Sequence, residues 1–113
     1  MDCIFCRIVA GEIPAEVVYQ DDEFLAFWDI HPQAPTHVLI IPKSHIPSLN
    51  EVTDGQEGLL GRLLLTARKV AEKEGVAGRG YRLCLNTGPE GGQLVPHLHL
   101  HLLGGRRIDD VLG

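Results

Sequence analysis

Three histidines alternate with leucines near the end of the chain, in the segment His97-Leu98-His99-Leu100-His101-Leu102-Leu103. If this segment is a β-strand, its histidines share one face, with neighbouring side chains about 7 Å apart. A solvated strand face does not require imidazoles, because serine, threonine or lysine would serve it equally well. Three in succession favour a metal site, a catalytic site or a pH sensor.

A glycine-rich loop, Asn86-Thr87-Gly88-Pro89-Glu90-Gly91-Gly92-Gln93, ends four residues before the first of these histidines. Successive backbone N–H groups in such a loop can form an anion-binding nest, which would hold a phosphate without lysine or arginine. Glycine-rich loops are more often ordinary turns. Its position next to the histidines is what favours a phosphate site.

Two cysteines near the N-terminus, Cys3 and Cys6, have C-x-x-C spacing, and the third, Cys84, stands apart. We predict a short helix over Asp2–Ala10 with Asp2 as its N-cap, which would place Cys3 and Cys6 on one face. In a cytoplasmic chain this spacing indicates metal or redox chemistry rather than a structural disulfide. No thioredoxin-like βαβ pattern surrounds the pair, which disfavours the redox alternative.

The elements that must position these residues can be predicted from periodicity. Five strands are expected at Val17–Gln20, Phe24–Ile30, His37–Pro42, Tyr81–Asn86 and His97–Leu103. One long helix, from about Asp54 to Glu74, should begin with a capping box formed by Thr53 and Gln56 and end at Gly75. Its apolar stripe comprises Leu59, Leu60, Leu63, Leu64, Ala67, Val70 and Ala71. The predicted class is α+β: a mostly antiparallel five-stranded sheet with one long helix and a short N-terminal helix.

Length and composition fit one soluble domain over residues 1–113, with a net charge of −5. The acidic balance disfavours a general nucleic-acid binder but leaves room for a single nucleotide. The longest apolar runs are far shorter than the ~20 residues of a membrane helix, so we expect no membrane partner. Because the first residues do not resemble a signal peptide, we expect a cytoplasmic protein.

The segment His97 to Leu103 resembles the signature of the histidine triad (HIT) superfamily. Six further segments, in chain order, resemble its Hint branch: Cys3 to Ile8, Ile13 to Ala15, Ala26 to Ile30, Pro32 to His37, Ile41 to His45 and Leu103 to Arg106. The likeness spans nearly the whole chain. It implies a HIT-like fold and a homodimer whose two sheets join into one.

The resemblance implies hydrolysis of a purine nucleoside 5′-phosphoramidate, without strong base discrimination and without an organic cofactor. His99 would attack the α-phosphorus and form a nucleotidyl-histidine, which water would then hydrolyse. His101 and the amides of Gly91 and Gly92 would hold the phosphoryl oxygens. His37 and His97 would complete the catalytic set.

The resemblance also implies a nucleoside pocket, with Phe5, Ile8, Phe27 and Ile30 around the base, Asp29 accepting from the ribose hydroxyls, and Asn86 near the phosphate. The alternative is that the four apolar residues are ordinary core and that Asp29 is a turn residue.

The resemblance further implies a structural zinc site made by Cys3, Cys6, His45 and His97, a donor set that zinc prefers. Such a zinc would attach the N-terminal helix to the sheet. The alternative is that the cysteines are small buried apolar residues and that His45 caps a loop.

The sequence departs from the Hint pattern at Leu94, where a serine or another polar residue is common, and in a tail that lacks the tryptophan of some relatives. His101 disfavours a nucleotidyltransferase, which would have glutamine there. Two other functions stay open: a dinucleoside polyphosphate hydrolase like those of the Fhit branch, and a non-catalytic nucleotide-binding or adaptor module. A zinc enzyme using His97, His99 and His101 as ligands is a further alternative.

Overall fold

A computed structural model describes residues 3–109, which form one five-stranded antiparallel sheet with a long helix on one face. The elements are α1 (Ile4–Val9), β1 (Val17–Gln20), β2 (Phe24–Trp28), β3 (Thr36–Pro42), α2 (Glu57–Lys73), β4 (Tyr81–Cys84) and β5 (Leu100–Gly104). The strands lie in the order β1-β2-β3-β5-β4. The predicted α+β class and the predicted elements are therefore confirmed, with changes at their ends.

The sheet buries apolar side chains on both of its faces, which explains why β2 and β3 are almost continuously hydrophobic. On one face, Leu63, Ala67 and Val70 of α2 belong to a core that includes Leu98 and Leu102. On the other face, a smaller cluster joins α1 to β2 and β3 and comprises Cys3, Phe5, Leu25, Phe27, Leu39 and Ile41. The two helices thus cover opposite faces of the sheet.

The histidine segment is only partly a strand. We predicted a strand over His97–Leu103, but β5 begins at Leu100. The N–H of His97 donates to Val95 O at 2.8 Å and that of Leu98 donates to Ile46 O at 2.7 Å, so neither joins the ladder. Leu98, Leu100 and Leu102 nevertheless enter the core under α2, so the alternation of faces survives.

Three other predicted elements were also longer than those in the structure. β2 ends at Trp28 rather than Ile30, because Asp29 Oδ1 accepts from the N–H of His31 and turns the chain. β4 ends at Cys84 rather than Asn86. The helix α1 has Cys3 as its N-cap, with Sγ accepting from Cys6 N–H, while the predicted cap Asp2 lies outside the described residues.

The long helix begins and ends as predicted in outline. The N–H of Thr53 donates to Gln56 Oε1 at 2.9 Å, residues Asp54–Gln56 form a 3-10 turn, and Gly75 ends the helix at φ 76°. The predicted stripe was wrong at Leu64, which is 55% exposed. Thr66 is buried instead, since its hydroxyl donates to Arg62 O within the helix.

Within residues 3–109, no helix has the length and hydrophobicity required to cross a bilayer.

The burial difference between two leucines gives a test of this core. Replacing the fully buried Leu102 by alanine is expected to lower the free energy of unfolding by about 2–5 kcal/mol, because it leaves a cavity. Leu64→Ala is the matched control and should change stability by no more than about 0.5 kcal/mol. Urea unfolding followed by circular dichroism measures both. Equal losses in the two variants would contradict the assigned helix face.

Candidate active site

An open cavity of about 450 Å³ lies on the α1 side of the sheet, at the end of the glycine-rich loop. Its lining comes from α1, β3, β5, the turn after β2 and the loop before His97. The lining residues are Phe5, Asp29, Leu39, Asn86, Glu90, Gly91, Gly92, Leu94, Val95, His99 and His101. Among the described residues, no lysine or arginine lines this cavity.

The His99 ring is held by a hydrogen bond to the backbone and by packing against Phe5. Its Nδ1 lies 2.7 Å from His97 O, and the two ring centroids of His99 and Phe5 are 5.3 Å apart, edge to face. A carbonyl oxygen can only accept, so Nδ1 carries the hydrogen. In neutral His99, Nε2 therefore holds a lone pair, which is the atom that a nucleophilic imidazole must present.

A second pair of imidazoles, His37 and His101, forms a hydrogen-bonded chain. The backbone N–H of Gln33 donates to His37 Nδ1 at 3.0 Å, so the hydrogen of neutral His37 is on Nε2. This Nε2 lies 3.0 Å from His101 Nδ1 and donates to it. His101 consequently carries its own hydrogen on Nε2. Its ring centroid is 5.0 Å from that of His99.

Burial keeps both members of this pair neutral. The pKa of His101 is lowered to about 4, first by burial and then by the neighbouring His99 and His37, while Asp29 opposes the shift. The pKa of His37 is also lowered by burial, again against Asp29, whose Oδ2 lies 3.5 Å from His37 Nε2. At neutral pH, His101 therefore offers an uncharged N–H donor beside the His99 lone pair.

The glycine-rich loop is tightly built. Asn86 Nδ2 donates to Gly91 O at 2.8 Å, and a Cβ on Gly91 would lie 2.2 Å from the backbone oxygen of Thr87, so only glycine fits there. The N–H of Gly92 already donates to Pro89 O at 3.1 Å within the loop. A phosphate would have to share this amide.

The structure places the predicted nucleoside-site residues in different settings. Phe5, Asp29 and Asn86 line the cavity. Phe27 belongs to the cluster beneath α1, and Ile8 packs against that cluster without lining the cavity. Ile30 is 85% exposed on the turn after β2. Asp29 accepts a hydrogen bond from His31 N–H, as expected of a turn residue, and it also lines the cavity.

The predicted metal ligands Cys3, Cys6, His45 and His97 converge beneath α1, with one ligand atom of each within 4.8 Å of every other. His97 Nδ1 lies 3.3 Å from Cys3 Sγ, 3.6 Å from Cys6 Sγ and 3.3 Å from His45 Nδ1. A tetrahedral zinc with ligands at about 2.0–2.3 Å requires separations of roughly 3.3–3.8 Å. The donor set and its spacing therefore fit a metal ion.

The surroundings of this cluster fit a metal as well. His97 Nε2 lies 2.8 Å from Pro42 O and must donate to it, which leaves the Nδ1 lone pair directed into the cluster. Burial, and then the neighbouring Cys3, raise the pKa of the Cys6 thiol, so a Cys6 thiolate needs a cation beside it. His97, His99 and His101 do not form a metal-ligand group among the described residues, because His97 joins the cysteines and His101 joins Asp29 and His37.

Several residues of the site were not found from sequence. Gln33 and Pro42 act through backbone groups, which leave no side-chain signal. Leu39, Glu90 and Val95 line the cavity. Strand alternation could have placed Leu39 beside the site, because it lies two residues beyond His37 on the same face.

Comparisons with known proteins find relatives that match nearly the whole chain. The HIT domain family matches residues 10–108. The chain is 53% identical over 111 residues to the purine nucleoside phosphoramidase of Escherichia coli K12, covering 98% of this chain and 93% of that protein. A HIT family hydrolase of Legionella pneumophila is 54% identical with a TM-score of 0.94, covering 96% of this chain and 97% of that one. A histidine triad protein of Clostridium difficile is 42% identical with a TM-score of 0.96, covering 99% and 97%.

The low pKa of His101 predicts a loss of stability in acid. His101 takes up a proton near pH 6.5 in the unfolded chain but only near pH 4 in the folded chain. Its contribution to the free energy of unfolding is therefore fully present above pH 6.5 and is lost as the pH falls to about 4. His101→Asn should flatten the fall in melting temperature across this window, whereas His31→Asn, in an exposed turn, should follow the wild type. Parallel curves for the wild type and His101→Asn would contradict the assignment.

Proposed function

We propose, since this chain belongs to the HIT domain family, that it hydrolyses purine nucleoside 5′-phosphoramidates and releases a nucleoside monophosphate. The observation that carries the proposal is the pair of fixed tautomers in the cavity. His99 presents an unprotonated Nε2, and His101 beside it presents an Nε2–H. The relative from Escherichia coli, named a purine nucleoside phosphoramidase, supports the same chemistry.

In the first step, His99 Nε2 attacks the α-phosphorus while the bond from phosphorus to the leaving nitrogen breaks. The attacking ring becomes cationic, and its Nδ1–H bond to His97 O strengthens as the charge develops. His101 donates from Nε2 to a phosphoryl oxygen and stabilises the negative charge there. The leaving nitrogen takes a proton from solvent and departs as an amine.

In the second step, a water molecule attacks the nucleotidyl-His99. A bond from phosphorus to the water oxygen forms, the bond to Nε2 breaks, and the water returns one proton to solvent. His99 is then neutral with its lone pair on Nε2 again. Throughout both steps the hydrogen on Nδ1 stays in place, because the His97 carbonyl offers it no alternative position.

The charges in the lining of this cavity favour a phosphoramidate over a dinucleoside polyphosphate. The ionisable side chains that line it, besides the two histidines, are Asp29 and Glu90, and both are acidic. Each further phosphate of a polyphosphate would bring negative charge to a wall that, among residues 3–109, offers it no lysine or arginine. A phosphoramidate monoester brings a single negative charge at its phosphoryl group.

For the nucleoside, we propose that the base lies against Phe5 and Leu39 and that Asp29 accepts from the ribose hydroxyls. Asp29 Oδ1 accepts from His31 N–H, but a carboxylate has lone pairs for further donors. Phe27 and Ile8 support this wall from behind. Contact with the ribose and apolar contact with the base fit purine nucleotides broadly.

We propose that the Cys3-Cys6-His45-His97 cluster holds a structural zinc ion. When bound, zinc would supply four ligand bonds that attach α1 to the segment before β5, and no reaction chemistry. His97 thereby acquires a positioning role, because the carbonyl oxygen of this same residue holds His99 Nδ1. The homodimer also stays a proposal; among residues 3–109, β4 is the last strand at one edge of the sheet, where the sheet of a second copy would join it.

The proposed nucleophile can be tested in a single-turnover assay with adenosine 5′-phosphoramidate. Wild type should release AMP and form an acid-labile nucleotidyl adduct on His99, detectable by mass spectrometry. His99→Ala should lower the rate by at least about 10³-fold and form no adduct, since it removes the nucleophile. His31→Ala is the control and should retain the rate. Faster cleavage of diadenosine polyphosphate by wild type would instead favour the Fhit-like function, and AMP binding without cleavage would favour a binding module.

The proposed zinc can be tested by metal analysis of protein purified without chelator. We expect about one equivalent of zinc in wild type, and a lower content and melting temperature in Cys6→Ser, which removes one of four ligands. Cys84→Ser, outside the cluster, should keep the wild-type content. Well below one equivalent in wild type, even after zinc is added, would exclude this proposal.

A further inference from the structure

Gln93 ends the glycine-rich loop, and its half-buried side chain joins three separate stretches of the chain. Its Oε1 accepts from Gly88 N–H at 2.9 Å, and its Nε2 donates to Pro47 O at 2.7 Å and to Val95 O at 3.0 Å. Gln93 itself does not line the histidine cavity. We propose that Gln93 is a positioning residue, which sets the glycine-rich loop at the distance from His99 that a bound phosphate requires. This inference rests on the proposed nucleotide site.

The three partners fix the orientation of the Gln93 amide and require all of its polar groups. A backbone N–H can only donate and a carbonyl can only accept, so a reversed amide would present the wrong atom to every partner. Both hydrogens of Nε2 and one lone pair of Oε1 are therefore used. A methionine at this position would have a similar length and would leave all three backbone groups without this partner.

Gln93 also closes the glycine-rich loop on itself. Its backbone N–H donates to Gly88 O at 3.0 Å, while its side chain accepts from Gly88 N–H, so the two residues are joined twice. Gly91 and Gly92, which line the cavity, lie between them in the chain. The place of these two glycines is therefore determined where the ends of the loop meet.

The same side chain connects the loop to the proposed nucleophile. Val95 O, which accepts from Gln93 Nε2, also accepts from His97 N–H at 2.8 Å. The carbonyl of His97 in turn lies 2.7 Å from His99 Nδ1. Consecutive hydrogen bonds thus run from Gly88 through Gln93 to His99. Such a connection matters for a displacement at phosphorus, because a misplacement of about 1 Å can lower its rate by about 10²-fold.

The inference can be tested with AMP and adenosine, two ligands that differ only in the phosphate. The dissociation constant of each is measured by isothermal titration calorimetry. We expect Gln93→Met to bind AMP about tenfold more weakly, the loss typical of a hydrogen bond to a charged group. Adenosine affinity should stay within about twofold of wild type, because the proposed nucleoside contacts with Phe5 and Leu39 do not involve Gln93.

A matched control and a second variant complete the test. Gln20→Met removes an exposed glutamine of β1 that does not line the cavity, and it should keep both affinities. Gln93→Asn retains the carboxamide but is one methylene shorter, so it cannot reach all three partners at once. It should also weaken AMP binding more than adenosine binding, and it provides the test if Gln93→Met does not fold.

Three results would overturn the inference, and they can be told apart. Wild-type AMP affinity in a folded Gln93 variant would show that this side chain does not position the phosphate contacts. Equal losses of AMP and adenosine affinity would show that Gln93 has a structural role only. If wild type binds AMP no more tightly than adenosine, the phosphate site of the proposed function is itself wrong, and this inference fails with it.

Discussion

The hydrogen bond from His99 Nδ1 to the carbonyl oxygen of His97 fixes where the reactive lone pair of the site can be. It is 2.7 Å long and buried, and its acceptor is a backbone atom that cannot exchange roles with its donor. The same residue that provides this carbonyl places its own side chain among the cysteines and His45. The position of the proposed nucleophile and the arrangement of the cysteine–histidine cluster therefore both depend on the short segment 97–99.

The other imidazoles follow the same rule, in which the hydrogen-bond partner of one ring nitrogen fixes which of the two nitrogens carries the hydrogen. The Gln33 N–H donates to His37 Nδ1, which leaves the His37 hydrogen on Nε2. That Nε2–H donates to His101 Nδ1, which leaves the His101 hydrogen on Nε2. The Pro42 carbonyl accepts from His97 Nε2, so the His97 hydrogen is on Nε2 as well. Burial reinforces this order by holding the pKa of His37 and of His101 below that of a free imidazole. The antiparallel β3–β5 pairing, which sets Leu39 opposite His101, brings these groups within reach of one another. The sheet register is thus part of the chemistry.

Much of this arrangement could be predicted from the sequence, because it depends on periodicity and on residue type. Alternation placed the three histidines on the face opposite the leucines, and the capping box and Gly75 bounded the long helix. The convergence of Cys3, Cys6, His45 and His97 was also predicted, through the family resemblance.

What could not be predicted depends on backbone atoms that carry no residue signature, such as the donors and acceptors that select each tautomer. The late start of β5, at Leu100 rather than His97, has the same origin, since Leu98 N–H donates to Ile46 O in a loop. The exposure of Leu64 depends on how α2 rotates against the sheet, which a helical stripe defines only to within one side chain.

The absence of lysine and arginine from the lining of the histidine cavity, within residues 3–109, has a consequence for how ligands are held. A phosphate gripped by cations is attracted over a distance comparable to the Debye length, and the attraction weakens as ionic strength rises. Here the donors are neutral imidazole and backbone N–H groups, which act only at contact. Within this lining, dissolved salt has no lysine or arginine to screen, so the contacts of a phosphate with these N–H groups should depend little on ionic strength.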